Sequence, residues 1–185
     1  MPVLVIIPRA RAANAGLTLV EVAVVVTVLA VALCAMASTV VTTGALNRES
    51  HETVLARKGA ERMLETLRNT NFRDVFALYD VDPGDDPGGA GTAPGSRFAV
   101  RGLTPLPGTP GGLAGEVLFP AAGPTLREDV ADAAQGLPRD LNGDTAVDAA
   151  DHAADYLVLP VRVRVRWAGT GGERTVELAT LLSEL

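Results

Sequence analysis

The chain has one cysteine, Cys34, so no disulfide can form within a molecule, and a fold that depends on such staples is excluded. Positive charge is also short: 16 Lys and Arg stand against 22 Asp and Glu, a formal net charge of −6. Nucleic-acid binding by a general basic surface is therefore not expected. Histidine appears twice, at His51 and His152, far apart and with no Ser or Cys nucleophile motif beside either. The glycine pairs Gly88-Gly89 and Gly111-Gly112 lack the Lys-Ser or Lys-Thr ending of a phosphate loop. With no catalytic constellation in view, the expectation is that the chain is not an enzyme.

Charge is missing most conspicuously from Val22 to Ala37, where the Cys34 thiol is the one ionisable group. A span needs about 20 residues at about 1.5 Å rise each, and Leu17 to Ser38 meets that length. Valine is common there and β-branched residues are modest helix formers in water. In lipid that preference loses, because only a helix satisfies every backbone polar group within its own segment. Arg9 and Arg11 precede the run and place that end in the cytoplasm by the positive-inside rule. At the head of the run stands one carboxylate, Glu21, in Gly16-Leu17-Thr18-Leu19-Val20-Glu21. A charge near the bilayer centre costs roughly 2.5–3.5 kcal/mol on insertion scales, so a partner for Glu21 is expected.

This arrangement resembles the cleavage and assembly signal of type IV pilin-like proteins. The resemblance implies that a prepilin peptidase cuts after Gly16 and that Leu17 becomes the N-methylated first residue. It also implies that Glu21, fifth in the mature chain, pairs with the terminal amine of a neighbouring subunit. Two features depart from the family pattern: Leu17 stands where phenylalanine is usual, and Met1 to Ile7 is apolar where the leader is usually basic.

Beyond Thr42 polar residues mix in, while Ala56, Ala60, Met63, Leu64 and Leu67 keep helical spacing. Around that stripe Arg48 with Glu52, and Arg57 with Glu61, stand four apart as charges of an exposed helix face. The pattern predicts one helix from about Leu17 to about Thr70, membrane-spanning in its first half and amphipathic in its second. Gly44 and Gly59 each weaken it by about 1 kcal/mol relative to alanine, and Gly44 marks a place for a bend. The aromatic segment Phe72 to Tyr79 follows as a cap on the core, and Asp80 to Gly95 is a turn-rich loop.

Two short strands are expected at Ser96–Arg101 and Gly115–Phe119, and a hairpin over 157–182. In the hairpin Val161, Val163, Val165 and Trp167 alternate with Arg162, Arg164 and Arg166. A four-residue loop would set Arg166 opposite Glu173, Arg162 opposite Glu177, Val163 opposite Val176 and Val161 opposite Leu178. The arginine row is read as the wet face of a strand with cross-strand carboxylates rather than as an anion-binding surface. The fold class is α+β: a long N-terminal helix packed on a small antiparallel sheet, which the pilin resemblance also implies. The organisation is a leader over 1–16, a transmembrane part over 17–38, an amphipathic helix and cap over 39–79, and an exported β-rich domain over 80–185.

One further segment carries metal chemistry. Asp140, Asn142, Asp144, Asp148 and Asp151 fall at the first, third, fifth, ninth and twelfth places of a twelve-residue loop, and the carbonyl of Ala146 falls at the seventh. Calcium takes about 6–8 oxygen donors, and a loop of this spacing can wrap it. The segment resembles the calcium loop of dockerin modules, which implies those residues as Ca2+ ligands, with Val147 as the apolar eighth residue. Thr145 stands where a glycine is usual.

The reading is a single-pass inner-membrane protein, its N-terminus cytoplasmic and its C-terminal domain periplasmic, that then enters a filament. It would be a minor subunit of a type IV pilus or type II secretion pseudopilus, with prepilin peptidase and other pilin-like subunits as partners. The alternatives are a calcium-dependent surface-binding module and a plain periplasmic domain on a membrane anchor.

Overall fold

The computed structural model describes residues 18–184. Helix α1 spans Leu19–Asn69 and is unbroken through Gly44. The chain divides into two compact units at that glycine, Met1–Gly44 and Ala45–Leu185.

In the first unit every described residue is exposed. At about 1.5 Å per residue, Leu19 to Gly44 makes about 39 Å of helix, longer than the roughly 30 Å of a bilayer's hydrocarbon core. This helix is long and apolar enough to cross a membrane, and a signal segment would have the same character. Its Thr and Ser hydroxyls donate back to carbonyls within the helix, as Thr27 does to Ala23 at 2.8 Å and Thr39 to Ala35 at 2.9 Å. Such bonds spare the hydroxyls an unpaired state in an apolar medium.

The second unit holds the core. Residues Ala56, Ala60, Leu64 and Leu67 of α1 are buried, with Met63 packed against them, which is the stripe expected from the spacing. After α1 a 3-10 turn, Phe72–Asp74, leads into the short helix α2, Val75–Tyr79, which buries Val75, Phe76 and Tyr79. Four antiparallel strands form the sheet in the order β1-β2-β5-β6: β1 Arg97–Phe98, β2 Gly115–Leu118, β5 Val158–Gly169 and β6 Gly172–Ser183. Along β5, Val161, Val163, Val165 and Trp167 are buried. Each such side chain taken out of water contributes about 1.5–3 kcal/mol before the entropy cost of ordering it.

Close approach explains two glycines. A Cβ on Gly59 would sit 2.8 Å from Cγ1 of Val100, and one on Gly115 would sit 2.4 Å from ring carbons of Phe98. The helix-weakening residue at 59 is thus the residue that lets Val100 pack against α1.

The hairpin register differs from the expected one by two residues. Gly169 faces Gly172 across a two-residue turn, so Trp167 opposes Arg174, Val165 opposes Val176, Val163 opposes Leu178 and Arg164 opposes Glu177. The tight turn at Thr170-Gly171 replaces the four-residue loop. An even slip keeps each side chain on its face, so the buried and wet faces are as expected. The arginines still meet carboxylates: Arg162 meets Asp132 at 2.8 Å, Arg164 meets Glu116 at 2.6 Å, and Arg166 donates to Glu173 at 2.8 Å. Arg97 also meets Glu116, at 2.7 Å.

A second small ribbon pairs β3, Ala121–Ala122, with β4, Thr125–Leu126. Sequence reasoning did not anticipate it. Its one local signal is the Gly123-Pro124 turn, since two alanines offer no alternation to read.

Candidate functional site

Gly16 and Leu17, the residues of the expected cut, lie outside the described residues. Glu21 sits in the first turn of α1 and is exposed. Thr18 precedes the helix, and its Oγ1 accepts the backbone N–H of Glu21 at 3.2 Å. That is the Thr-x-x-Glu arrangement of a capping box, in which the hydroxyl covers an N–H that the helix leaves unpaired. A carboxylate in this turn also meets the positive end of the helix dipole, worth about 0.3–1 kcal/mol at exposed positions. Glu21 therefore has a local use as well as any use between molecules.

The loop from Arg139 to Tyr156 is tied down at several points. Leu141 is fully buried, and its carbonyl accepts the N–H groups of Leu157 at 2.7 Å and Val158 at 3.0 Å, where β5 begins. Tyr156 donates its hydroxyl to the carbonyl of Phe72 at 2.6 Å and packs edge-on against that ring at 4.9 Å. Burial pushes the Tyr156 phenol up to about 12, so it remains a donor at neutral pH. From the other side, β4 is clamped: Leu126 donates to Oδ1 of Asp151 at 3.0 Å and accepts from the His152 N–H at 2.9 Å.

Within the loop the expected ligands form a series of side-chain turns. Asp140 accepts from the N–H groups of Gly143 at 2.6 Å and Thr145 at 2.8 Å, and these bonds hold its carboxyl below the ordinary range. Asn142 accepts from the N–H of Asp144 at 3.1 Å, and Asp144 from that of Ala146 at 2.8 Å. Thr145 takes a left-handed φ of 72°. This is the place where the dockerin resemblance expects glycine, and a β-branched residue there costs roughly 1–2 kcal/mol. The backbone adopts the turn regardless of the residue. Asp151, at the twelfth place, gives its Oδ1 to the N–H groups of Leu126 and Ala153, so it serves to clamp β4.

Of the expected ligands, Asp148 alone enters a group of close donors. Glu128, Asp148 and His152 each offer an atom within 4.8 Å of the other two, the one such group among the described residues. The Nε2 of His152 lies 3.2 Å from Oδ1 of Asp148 and 3.7 Å from Oε2 of Glu128, and its Nδ1 lies 3.2 Å from Oδ1 of Asp155. Glu128 and His152 are buried, and Asp148 is exposed. The Glu128 carboxylate is fixed by the loop itself, accepting from Leu141 N–H at 2.5 Å and Asn142 N–H at 3.3 Å. Burial alone would push the His152 imidazole down, yet Asp148, Glu128 and Asp155 together hold it above its ordinary value. Asp148 is held below its own, by the Ala150 N–H and then by His152. This group can chelate a metal ion.

Sequence reasoning missed Glu128 and His152. His152 follows Asp148 by four residues and was the closer of the two to being found. Glu128 has no sequence signal: it is twelve residues upstream of Asp140 and reaches the loop only because β4 lies beside it. No protein family model, curated protein or solved structure matches the chain, so its own residues and their geometry are what bear on function.

Proposed function

We propose that the chain is a minor structural subunit of a type IV pilus-like or type II secretion pseudopilus filament. In this reading α1 is held in the inner membrane, the domain that follows is exported, and prepilin peptidase cuts after Gly16 and methylates Leu17. Assembly then packs the apolar part of α1 against copies or relatives, and Glu21 receives the terminal amine of a neighbour. The role is structural, with no chemistry performed on a substrate.

The observation that carries this reading is Glu21 itself. It is the one carboxylate in a helical stretch whose side chains from Leu19 to Gly44 are otherwise exposed and apolar or hydroxylic. A plain anchor needs no carboxylate there. The Thr18 cap offers a competing local use, and Glu21→Gln separates the two because it keeps the capping pattern and removes the charge. A divalent ion held near His152 would order the loop beside β5, a supporting part in the same structural role.

Mass spectrometry of the mature amino terminus tests the proposal. A mature chain that begins with methylated Leu17 is expected. A start near Ala37, made by a secretory peptidase on the far side of the membrane, would overturn it.

A further inference from the structure

We infer that Glu128, Asp148 and His152 form a site for a borderline divalent transition ion of the zinc class, with Asp148 the one donor it shares with the calcium pattern. This inference does not depend on filament assembly.

Distances support a single ion. Zinc binds histidine nitrogen and carboxylate oxygen at about 2.0–2.2 Å, so two donors on one tetrahedral ion stand roughly 3.3–3.6 Å apart. The His152 Nε2 is 3.2 Å from Asp148 and 3.7 Å from Glu128, on either side of that range. The Asp148 and Glu128 donors lie within 4.8 Å of each other, and drawing them together around Nε2 would bring all three onto one ion.

Charge points the same way. Three carboxylates, Glu128, Asp148 and Asp155, surround one imidazole, and the fully buried Glu128 has His152 as its one ion-pair partner among the described residues. A protonated imidazole leaves this group with a surplus of negative charge in a place where Glu128 cannot reach water. A divalent ion between the donors removes more of it.

The donor set selects the ion. An imidazole nitrogen suits zinc, copper, iron or nickel, whereas calcium favours 6–8 oxygens at about 2.3–2.6 Å. Asp155 completes the design: its carboxylate faces Nδ1, the nitrogen that would not bind metal, and in the bound state accepts its proton. Such an outer carboxylate fixes the tautomer and turns Nε2 toward the ion. Three protein donors leave a fourth position for a further ligand. Bound here, the ion cross-links the end of β4 to the far end of the 140–152 loop.

The test uses the full chain in detergent micelles, stripped with chelator and titrated with Zn2+ alone, then with Ca2+ as competitor. Expected are uptake of one zinc per chain, a rise in the unfolding temperature, and a visible absorption band when Co2+ replaces Zn2+. His152→Gln abolishes all three. Because His152 is buried and that variant could misfold, Asp155→Asn is the second probe. The Asp155 side chain is 56 % exposed, and its loss weakens zinc binding by about 10–100-fold while the metal-free melt is unchanged. The inference is overturned if wild type takes up no zinc, if both variants take it up as wild type does, or if Ca2+ displaces Zn2+ one for one.

Discussion

Replacing Asp80 by Asn should stabilise the second unit at neutral pH and do almost nothing in mild acid. Asp80 closes α2 and is 7 % exposed, with Oδ1 accepting the Asp82 N–H at 3.0 Å and Oδ2 buried without a hydrogen-bond partner among the described residues. Burial lifts its carboxyl from 3.8 to about 6; the Asp82 N–H opposes the rise, and the charges of Asp85, Asp82 and Asp86 add to it. An acid whose folded pKa lies above its unfolded one binds more protons in the folded state between those values, so stability falls as pH rises through that window. Below the unfolded value this group carries no charge penalty in either state, and above about 6 the penalty is complete. The gap corresponds to on the order of 3 kcal/mol at about pH 7. Asparagine keeps an oxygen for the Asp82 N–H and resembles the protonated acid in shape. Trp167, the one tryptophan and 2 % exposed, reports global unfolding by its fluorescence. Urea titrations of both proteins at steps between about pH 4 and pH 8 give the difference directly, and other titrating groups cancel to first order. The expected difference is near zero at about pH 4 and rises to a plateau by about pH 7. A difference that stays flat across the range would refute the claim that this carboxylate is desolvated by the fold.

Glu21→Gln separates the two uses of that residue, because glutamine retains the capping-box pattern and removes the charge. Membrane insertion should be unchanged and co-assembly with other subunits sharply reduced; equal incorporation of mutant and wild type would leave only the cap. Gly59→Ala should lower stability by about 1 kcal/mol even though alanine is the better helix former, since overpacking costs about 1–3 kcal/mol. Urea unfolding of Gly59→Ala combined with Val100→Ala checks the cause: the second change should recover most of the loss, because the clash is with the Val100 methyls.

The elements most legible in the sequence were those whose side-chain period matches a single local geometry. The stripe Ala56, Ala60, Leu64, Leu67 and the alternation from Val161 to Trp167 each identify a buried face without reference to the rest of the chain. Pairing register was less legible, because it depends on the turn, and Ala168 to Gly172 admits a two-residue as readily as a four-residue loop. Arg162, Arg164 and Arg166 stay on the wet face under either choice, so the named pairs Arg166 with Glu173 and Arg162 with Glu177 form despite the slip, the second at 3.7 Å, while the nearer partners of Arg162 and Arg164 come from outside the hairpin. Asp132 reaches Arg162 from a loop thirty residues upstream, and no cross-strand rule could name it.

The metal group shows the same limit more sharply. A spacing rule finds ligands that lie on one continuous loop, and it found Asp140, Asn142, Asp144, Asp148 and Asp151. The fold spends several of these on backbone N–H groups: Asp140 on Gly143 and Thr145, Asp151 on Leu126 and Ala153. What they build is a loop rigid enough to place Asp148 and His152 against a carboxylate from another element. Glu128 is that carboxylate, and its oxygen is set by the N–H groups of Leu141 and Asn142, residues inside the loop. The expected ligands therefore matter to the site through the backbone they shape, and Asp148 is the one that also presents a donor. A calcium pattern read from spacing and a histidine-bearing group read from distance can describe the same loop, because spacing records how the chain turns and distance records where it arrives.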